Sequence, residues 1–285
     1  MVTAAIVTST AADLTPELAE ALGIFVVPSV VTFGADTYQA GIDLATDAFW
    51  DRMRGRDAPF PITAPPSPGA FKDAYEAAFN AGAEAIVSVQ MSARMSATFD
   101  SARVAAELYP DREIHVVDSG TASMATGLLT ILGAEMAALG VSAAEIARVL
   151  ARRAADVELY AALDTLEYLR RGGRISGAAA RIGALLAVKP VITVSDGQVA
   201  ILDRVPTRRA ARQRVLRYLT GAPVERLAIL YSPPADGEAF RDELLARMPG
   251  EIDASKVVVC PIGLTIGPHI GPGCVGGVIL RASSG

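Results

Sequence analysis

Cysteine, histidine and tryptophan are scarce in this chain: two, two and one among 285 residues. Cys260 and Cys274 are too few for a disulfide framework, so a reducing cytoplasm is the simpler setting. Two histidines and two separated cysteines offer no metal site. The sequence contains no P-loop, no zincin motif, no C-x-x-C and no nucleophile elbow, which removes the commonest signatures of nucleotide, zinc and serine-hydrolase chemistry. Long uninterrupted apolar runs are missing too. The most apolar long window, Ala178 to Val194, is broken by Arg181, Lys189 and Pro190, which excludes a spanning helix. Met1-Val2-Thr3 carries no basic region of a leader peptide, so a soluble, cytoplasmic protein without stable membrane insertion is expected. An excess of positive charge is also lacking. With a net charge of -5 and a pI of about 5.2, general attraction to nucleic acid or to anionic membrane is not expected.

What is present describes a compact globular protein: 51% hydrophobic residues against 20% charged. The length suits two domains. In the first half, strand-sized apolar runs (Ala4 to Val7, Ile24 to Val27, Ala85 to Val89, Glu113 to Val117) alternate with helical stretches (Pro16 to Leu22, Gly69 to Ala81, Met95 to Leu108, Thr121 to Leu139, Ala143 to Ala155). That alternation predicts right-handed crossovers and a largely parallel sheet. The second half adds a hairpin at Ser195-Asp196-Gly197 between Val188 to Val194 and Val199 to Leu202, and a helix from Pro206 to Leu219. The fold class expected is α/β: a Rossmann-like, mostly parallel sheet domain over residues 1–157 and a smaller mixed α/β domain over 158–285.

Four stretches carry candidate chemistry. Leu163 to Gly177 reads as a short helix capped by Asp164 or Thr165 and stopped by Gly172-Gly173, with Arg174 thrown into a new direction. The proline-rich segment Pro59 to Pro68 must be extended, and its stiffness holds a hydroxyl at Thr63 or Ser67 in place, although Ser67 also reads as the cap of the next helix. Ser92, Ser96 and Thr98 crowd the loop after a predicted parallel strand, where ligands bind and helix N-termini favour anions. Capping accounts for one of these hydroxyls, not all three. Gly263 to Gly277 holds several glycines, Gly273 among them, that permit close backbone approach. The G-P-G-C-V-G at Gly271 to Gly276 lacks the helix and the later acidic residue of a dinucleotide site. His269, between two Gly-Pro turns, is either a structural or a functional residue; His115, in an apolar strand, reads as core or edge.

These motifs occur in a familiar order: I-V-T-S-T-A-A-D-L from Ile6, Y-Q-A-G-I-D from Tyr38, T-A-P-P-S-P from Thr63, M-S-A-T-F-D-S-A from Met95, V-D-S-G-T-A-S from Val117, L-E-Y-L-R-R-G-G-R-I-S from Leu166, and H-I-G-P-G from His269. Over essentially the whole chain they resemble the DegV family of bacterial fatty-acid-binding proteins. The resemblance implies two α/β domains with a long-chain fatty acid such as palmitate, stearate or oleate between them. It further implies that a separate fatty acid kinase brings ATP and phosphorylates the carboxylate for phospholipid metabolism. It places the carboxylate on Thr63, Ser92 and His269, with Arg174 near the head group or the kinase face. No other cofactor is implied, no catalysis by this chain, and a monomer is expected. The sequence departs from the family pattern at Ala64, Ala93, Ala97, Ser9 and Pro206. Two other readings compete: an acyl- or phosphoryl-transfer enzyme with Ser92 as nucleophile and His269 as base, and a module using the basic helix Arg204 to Arg217, either a solvated face or a docking surface for an acidic kinase.

Overall fold

A computed structural model describes residues 4–55, 58–175, 188–221 and 223–282. Most of the apolar window from Ala178 to Val194, together with Ser176 and Gly177 of the helix-stop stretch, lies outside the described residues.

Four parallel strands form the first sheet: β1 (Ala4–Ser9), β2 (Ile24–Val27), β6 (Ala85–Gln90) and β7 (Glu113–Asp118), in the order β2-β1-β6-β7. Their side chains alternate between two covered faces, as buried parallel strands require. Ile6 and Val87 point to a cluster with α1 (Pro16–Ala21), α5 (Met124–Ala138) and α6 (Ala143–Arg153). Val7 and Ile86 point the other way, to α3 (Pro68–Asn80) and α4 (Thr98–Ala106). His115 sits on the edge strand β7, partly exposed beside Glu113.

The second sheet has six mixed strands in the order β10-β9-β8-β13-β11-β12, so the wider sheet belongs to the shorter C-terminal half. It comprises β8 (Val157–Ala162), β9 (Lys189–Ser195), β10 (Gln198–Val205), β11 (Val224–Tyr231), β12 (Val257–Pro261) and β13 (Val275–Arg281). One face, with Ala162, Val191 and Ile229, packs under α8 (Arg208–Leu219) and α9 (Gly237–Leu245). The alternate residues Leu159, Ala161, Ile192 and Leu230 face the core shared with α5. That explains why α5 is apolar almost all round: it lies between the two sheets, touching strands of both. At its end, Glu135 takes a bidentate ion pair from the buried Arg226 of β11, tying helix to sheet.

A third, antiparallel sheet joins β3 (Val30–Phe33), β4 (Asp36–Gln39) and β5 (Ile62–Ala64) in the order β4-β3-β5. The proline-rich segment is thus extended, as expected, but not merely a loop: Ile62–Ala64 pairs with β3, Thr63 opposite Val31. An edge strand tolerates flanking prolines because only one side needs hydrogen bonds. Beneath it, α2 (Thr46–Arg54) packs Phe49 against Phe33, and Trp50 donates its indole N–H to the Ile262 carbonyl at 2.8 Å.

Several helix boundaries shift for local reasons. α8 begins at Arg208, not Pro206, because Thr207 is the cap and its hydroxyl accepts from Ala210 N–H. Ser67 does cap α3. α4 starts at Thr98 rather than Met95, since Met95 and Ser96 donate their N–H groups back to the Ser92 carbonyl and close a turn. In the helix-stop stretch, α7 (Glu167–Arg171) uses Thr165, whose hydroxyl accepts from Glu167 N–H, whereas Asp164 is drawn into ion pairs with Arg208 and Lys189.

The β9–β10 hairpin turns at Asp196-Gly197, where both residues have positive φ, the type I′ geometry that suits strand twist. Its tip is clasped by the loop after β6: Ser92 Oγ donates to the Gly197 carbonyl at 2.8 Å and Arg94 to the Asp196 carbonyl at 2.6 Å. A Cβ on Gly197 would stand 2.6 Å from Ser92 Oγ. Gly197→Ala should therefore destabilise the protein by about 1–3 kcal/mol in denaturant unfolding. Adding Ser92→Ala should recover part of that loss, because it removes the closest clash and leaves the backbone strain and the tighter contact with Arg94. A double mutant no more stable than Gly197→Ala alone would contradict the clasp.

Candidate functional site

A cavity opens between the six-stranded sheet and a wall made by β5 and the loops after β2 and β6, with an empty volume of about 880 Å³ that includes its open mouth. Both halves of the chain line it. Leu159, Ala161, Ile192, Val199 and Leu230 supply an apolar wall from the six-stranded sheet, and Met91 and Met95 face them from the loop after β6. A mostly apolar cleft with a few convergent polar groups is the usual form of a small-molecule site.

The polar groups gather where three loops meet. Thr63 Oγ1 on β5 lies 3.0 Å from Nε2 of His269, which α10 (Gly267–Ile270) carries. Short α10 packs against α7, and the close fit depends on Gly172, where any Cβ would overlap His269 Nδ1. The glycine that ends α7 is therefore also the floor of the histidine. Nδ1 is buried without a hydrogen-bond partner among the described residues. A ring N–H is better satisfied where an acceptor exists, so the proton belongs on Nε2, donating to Thr63. The Thr63 hydroxyl proton is then free to donate into the cavity.

Burial, followed by the positive charge of nearby Arg174, depresses the His269 pKa to about 4. At neutral pH the imidazole is uncharged, and the positive charge at this end of the cavity is that of Arg174. Arg174 donates to two backbone carbonyls, Gly172 at 2.6 Å and Met95 at 3.4 Å, which fixes its guanidinium at the cavity wall. Ser96 and Thr98 also line the cavity, their hydroxyls 2.8 Å apart. The arrangement is a hydroxyl donor backed by a neutral imidazole, with an arginine beside it: a receptor for an anion at one end of an apolar slot.

The structure thus brings together Thr63, His269, Arg174, Ser96 and Thr98. It does not bring Ser92 or Gly273 to them. Ser92 is buried with its hydroxyl on the hairpin carbonyl, outside the cavity lining. Gly273, with φ of +81°, instead makes room for the Asp164 carboxylate, where a Cβ would meet Oδ2 at 2.5 Å. Nor do Ser92 and His269 form a pair, since His269 bonds Thr63 instead. Of the basic-helix arginines, Arg208, Arg212 and Arg214 are held in ion pairs.

Two lining residues carry no signal in the loops read for chemistry: Ser29, between β2 and β3, and Thr265, just before α10. A third, Ser123, closes the V-D-S-G-T-A-S run and donates to the buried Asp13 carboxylate at 2.5 Å; Gly263 N–H donates to its other oxygen at 3.0 Å. No group of residues suited to a metal ion occurs among the described residues, and no helix among them is long and apolar enough to cross a membrane.

The fold is thus a mixed α/β one in which both halves of the chain line an apolar slot with a polar cluster at one end. The DegV family model matches residues 3–282, and the chain belongs to that family. A DegV domain-containing protein of Streptomyces coelicolor is 36% identical, covering 96% of this chain and 97% of its own. A DegV family protein from Thermus thermophilus, described as binding fatty acid, superposes with a TM-score of 0.88 at 31% identity, over 98% of this chain and 100% of its own. DegV of Bacillus subtilis, described as a fatty acid binding protein, gives 0.87 at 27% identity, over 99% and 100%.

Burial raises the Asp13 pKa from 3.8 to about 7, against the lowering effect of its hydrogen bonds from Ser123 and Gly263. The folded state then holds a proton that the unfolded state has lost between pH 4 and 7, so this group's contribution to stability falls as pH rises through that window. Asn fits the same two partners, accepting from Gly263 and donating to Ser123. Relative to Asp13→Asn, the wild type should lose stability from pH 4 to 7 at up to ~1.4 kcal/mol per pH unit. Thermal or urea unfolding of both proteins across that range measures it, and a difference independent of pH would contradict the assignment.

Proposed function

We propose that this chain binds one long-chain fatty acid in the interdomain cavity and presents its carboxylate to a separate fatty acid kinase for acyl-phosphate formation. The observation that carries the reading is the apolar slot ending at Thr63, His269 and Arg174. The fatty acid binding described for the Thermus thermophilus and Bacillus subtilis relatives supports the ligand class. The division of the chain after residue 157, a monomeric carrier and a cytoplasmic setting belong to the same reading. The kinase brings the nucleotide; this chain contributes position. Its Thr63 hydroxyl donates to one carboxylate oxygen, His269 holds that hydroxyl in orientation, and Arg174 neutralises the charge.

Magnitudes assign the roles. A sixteen-carbon acid buries roughly fifteen carbons at ~0.8 kcal/mol each, on the order of 12 kcal/mol gross. Association and ordering oppose this by ~4–15 kcal/mol. A hydrogen bond to the charged carboxylate adds ~1.5–3 kcal/mol. The tail therefore dominates affinity, and the polar end decides where the carboxylate stands.

Native mass spectrometry of the purified protein should show a co-purified C14–C18 acid. After delipidation, palmitate or oleate should displace a fluorescent fatty-acid probe. Thr63→Val should weaken palmitate by about 10- to 150-fold while reducing phosphorylation by the kinase far more. Absence of any fatty-acid binding would contradict the carrier reading. Equal losses of binding and phosphorylation would show the head group to be the main anchor.

A further inference from the structure

The cavity's polar side chains fall into two groups. Thr63, His269 and Arg174, with Ser96 and Thr98, form one; Ser29, Ser123 and Thr265 form another, against the turn Thr10–Ala12 that follows β1. In the second group Ser123 bonds Asp13, and Thr265 bonds Thr10 at 2.9 Å. Ser29 differs. It is completely buried and lines the cavity; its N–H donates to Thr10 Oγ1, yet its own hydroxyl has no hydrogen-bond partner among the described residues. A hydroxyl left unpaired against an apolar slot is unfavourable, and a saturated hydrocarbon cannot relieve it.

We infer that Ser29 receives an oxygen substituent carried by the acyl chain close to its carboxyl end, so that the preferred ligand class is a 2- or 3-hydroxy fatty acid. This rests on the carrier reading above and deepens it. Register fixes the position along the chain. β3 and β5 pair Val30 with Ala64 and Val31 with Thr63, so one step further Ser29 stands opposite Pro65 and diagonal to Thr63. Diagonal neighbours lie roughly 7–8 Å apart. A carboxylate bound at Thr63 and a hydroxyl bound at Ser29 each use one hydrogen-bond length of that span, which leaves room for only the first few carbons between them.

Charge decides which oxygen goes where. Arg174 lines the cavity in the first group, and among the described residues no cation lines it in the second, so an anion is favoured at the Arg174 end. The carboxylate therefore takes the Thr63 end and a neutral hydroxyl the Ser29 end.

The test is displacement binding of palmitate, 2-hydroxypalmitate and 3-hydroxypalmitate to delipidated wild type and Ser29→Ala. One hydroxy acid should bind the wild type about 3- to 10-fold more tightly than palmitate. Ser29→Ala should lose that preference and bind palmitate at least as well as the wild type. Equal affinity of the wild type for all three acids would overturn the inference, as would a preference that survives Ser29→Ala. Equal weakening of every acid by Ser29→Ala would overturn it too, by placing Ser29 on the carboxylate. Those results leave the carrier reading standing. Failure of the wild type to bind any of the acids would remove both.

Discussion

The hydrogen bond between Thr63 and His269 joins residues 206 positions apart, and the candidate site exists only because the fold closes that gap. Each partner is held by separate means. Thr63 sits on an edge strand stiffened by prolines and paired to β3, so its hydroxyl has little freedom to lose on binding. His269 is pressed against Gly172, the residue that stops α7, and no larger side chain fits there. Moving either support would separate the pair and loosen Arg174, which is anchored on the Gly172 carbonyl.

Electrostatics follow from this packing. Burial keeps His269 neutral, so it can orient a threonine without bringing a second charge beside Arg174, which is fixed to backbone. Behind the lining residue Ser123 lies a buried acid, Asp13, whose proton is retained close to neutrality. α5, wedged between the sheets and apolar on nearly every face, packs against strands of both.

The fold was largely legible because its signal is periodic. Ile6/Val7 and Ile86/Val87 alternate between two helical layers, and Asp196-Gly197 announces its turn by composition. Thr63, His269 and Arg174 were legible as unusual residues in constrained loops and through the family's motif order. Ser92 shows the limit of that reasoning. It stands in the expected loop after a parallel strand, but the tip of a hairpin from the other half of the chain takes its hydroxyl, and local sequence cannot announce that contact. Ser29 fails in the other direction. Its only trace is one small polar residue interrupting V-V-P-S-V-V, which reads as an ordinary strand break until the cavity is seen. Pro206 resembled a first helical residue, yet Thr207 is the better cap and wins.

With only two histidines, the chain offers an uncrowded NMR titration. The other histidine, His115, lies at the surface beside Glu113, away from the cavity. In the delipidated protein His269 should titrate near 4, its imidazolium disfavoured by burial and by Arg174. A carboxylate seated against Thr63 would stabilise the imidazolium and partly cancel Arg174, so saturation with palmitate should raise the His269 pKa. A His269 titration indifferent to bound fatty acid would contradict the claim that this end of the cavity holds the head group.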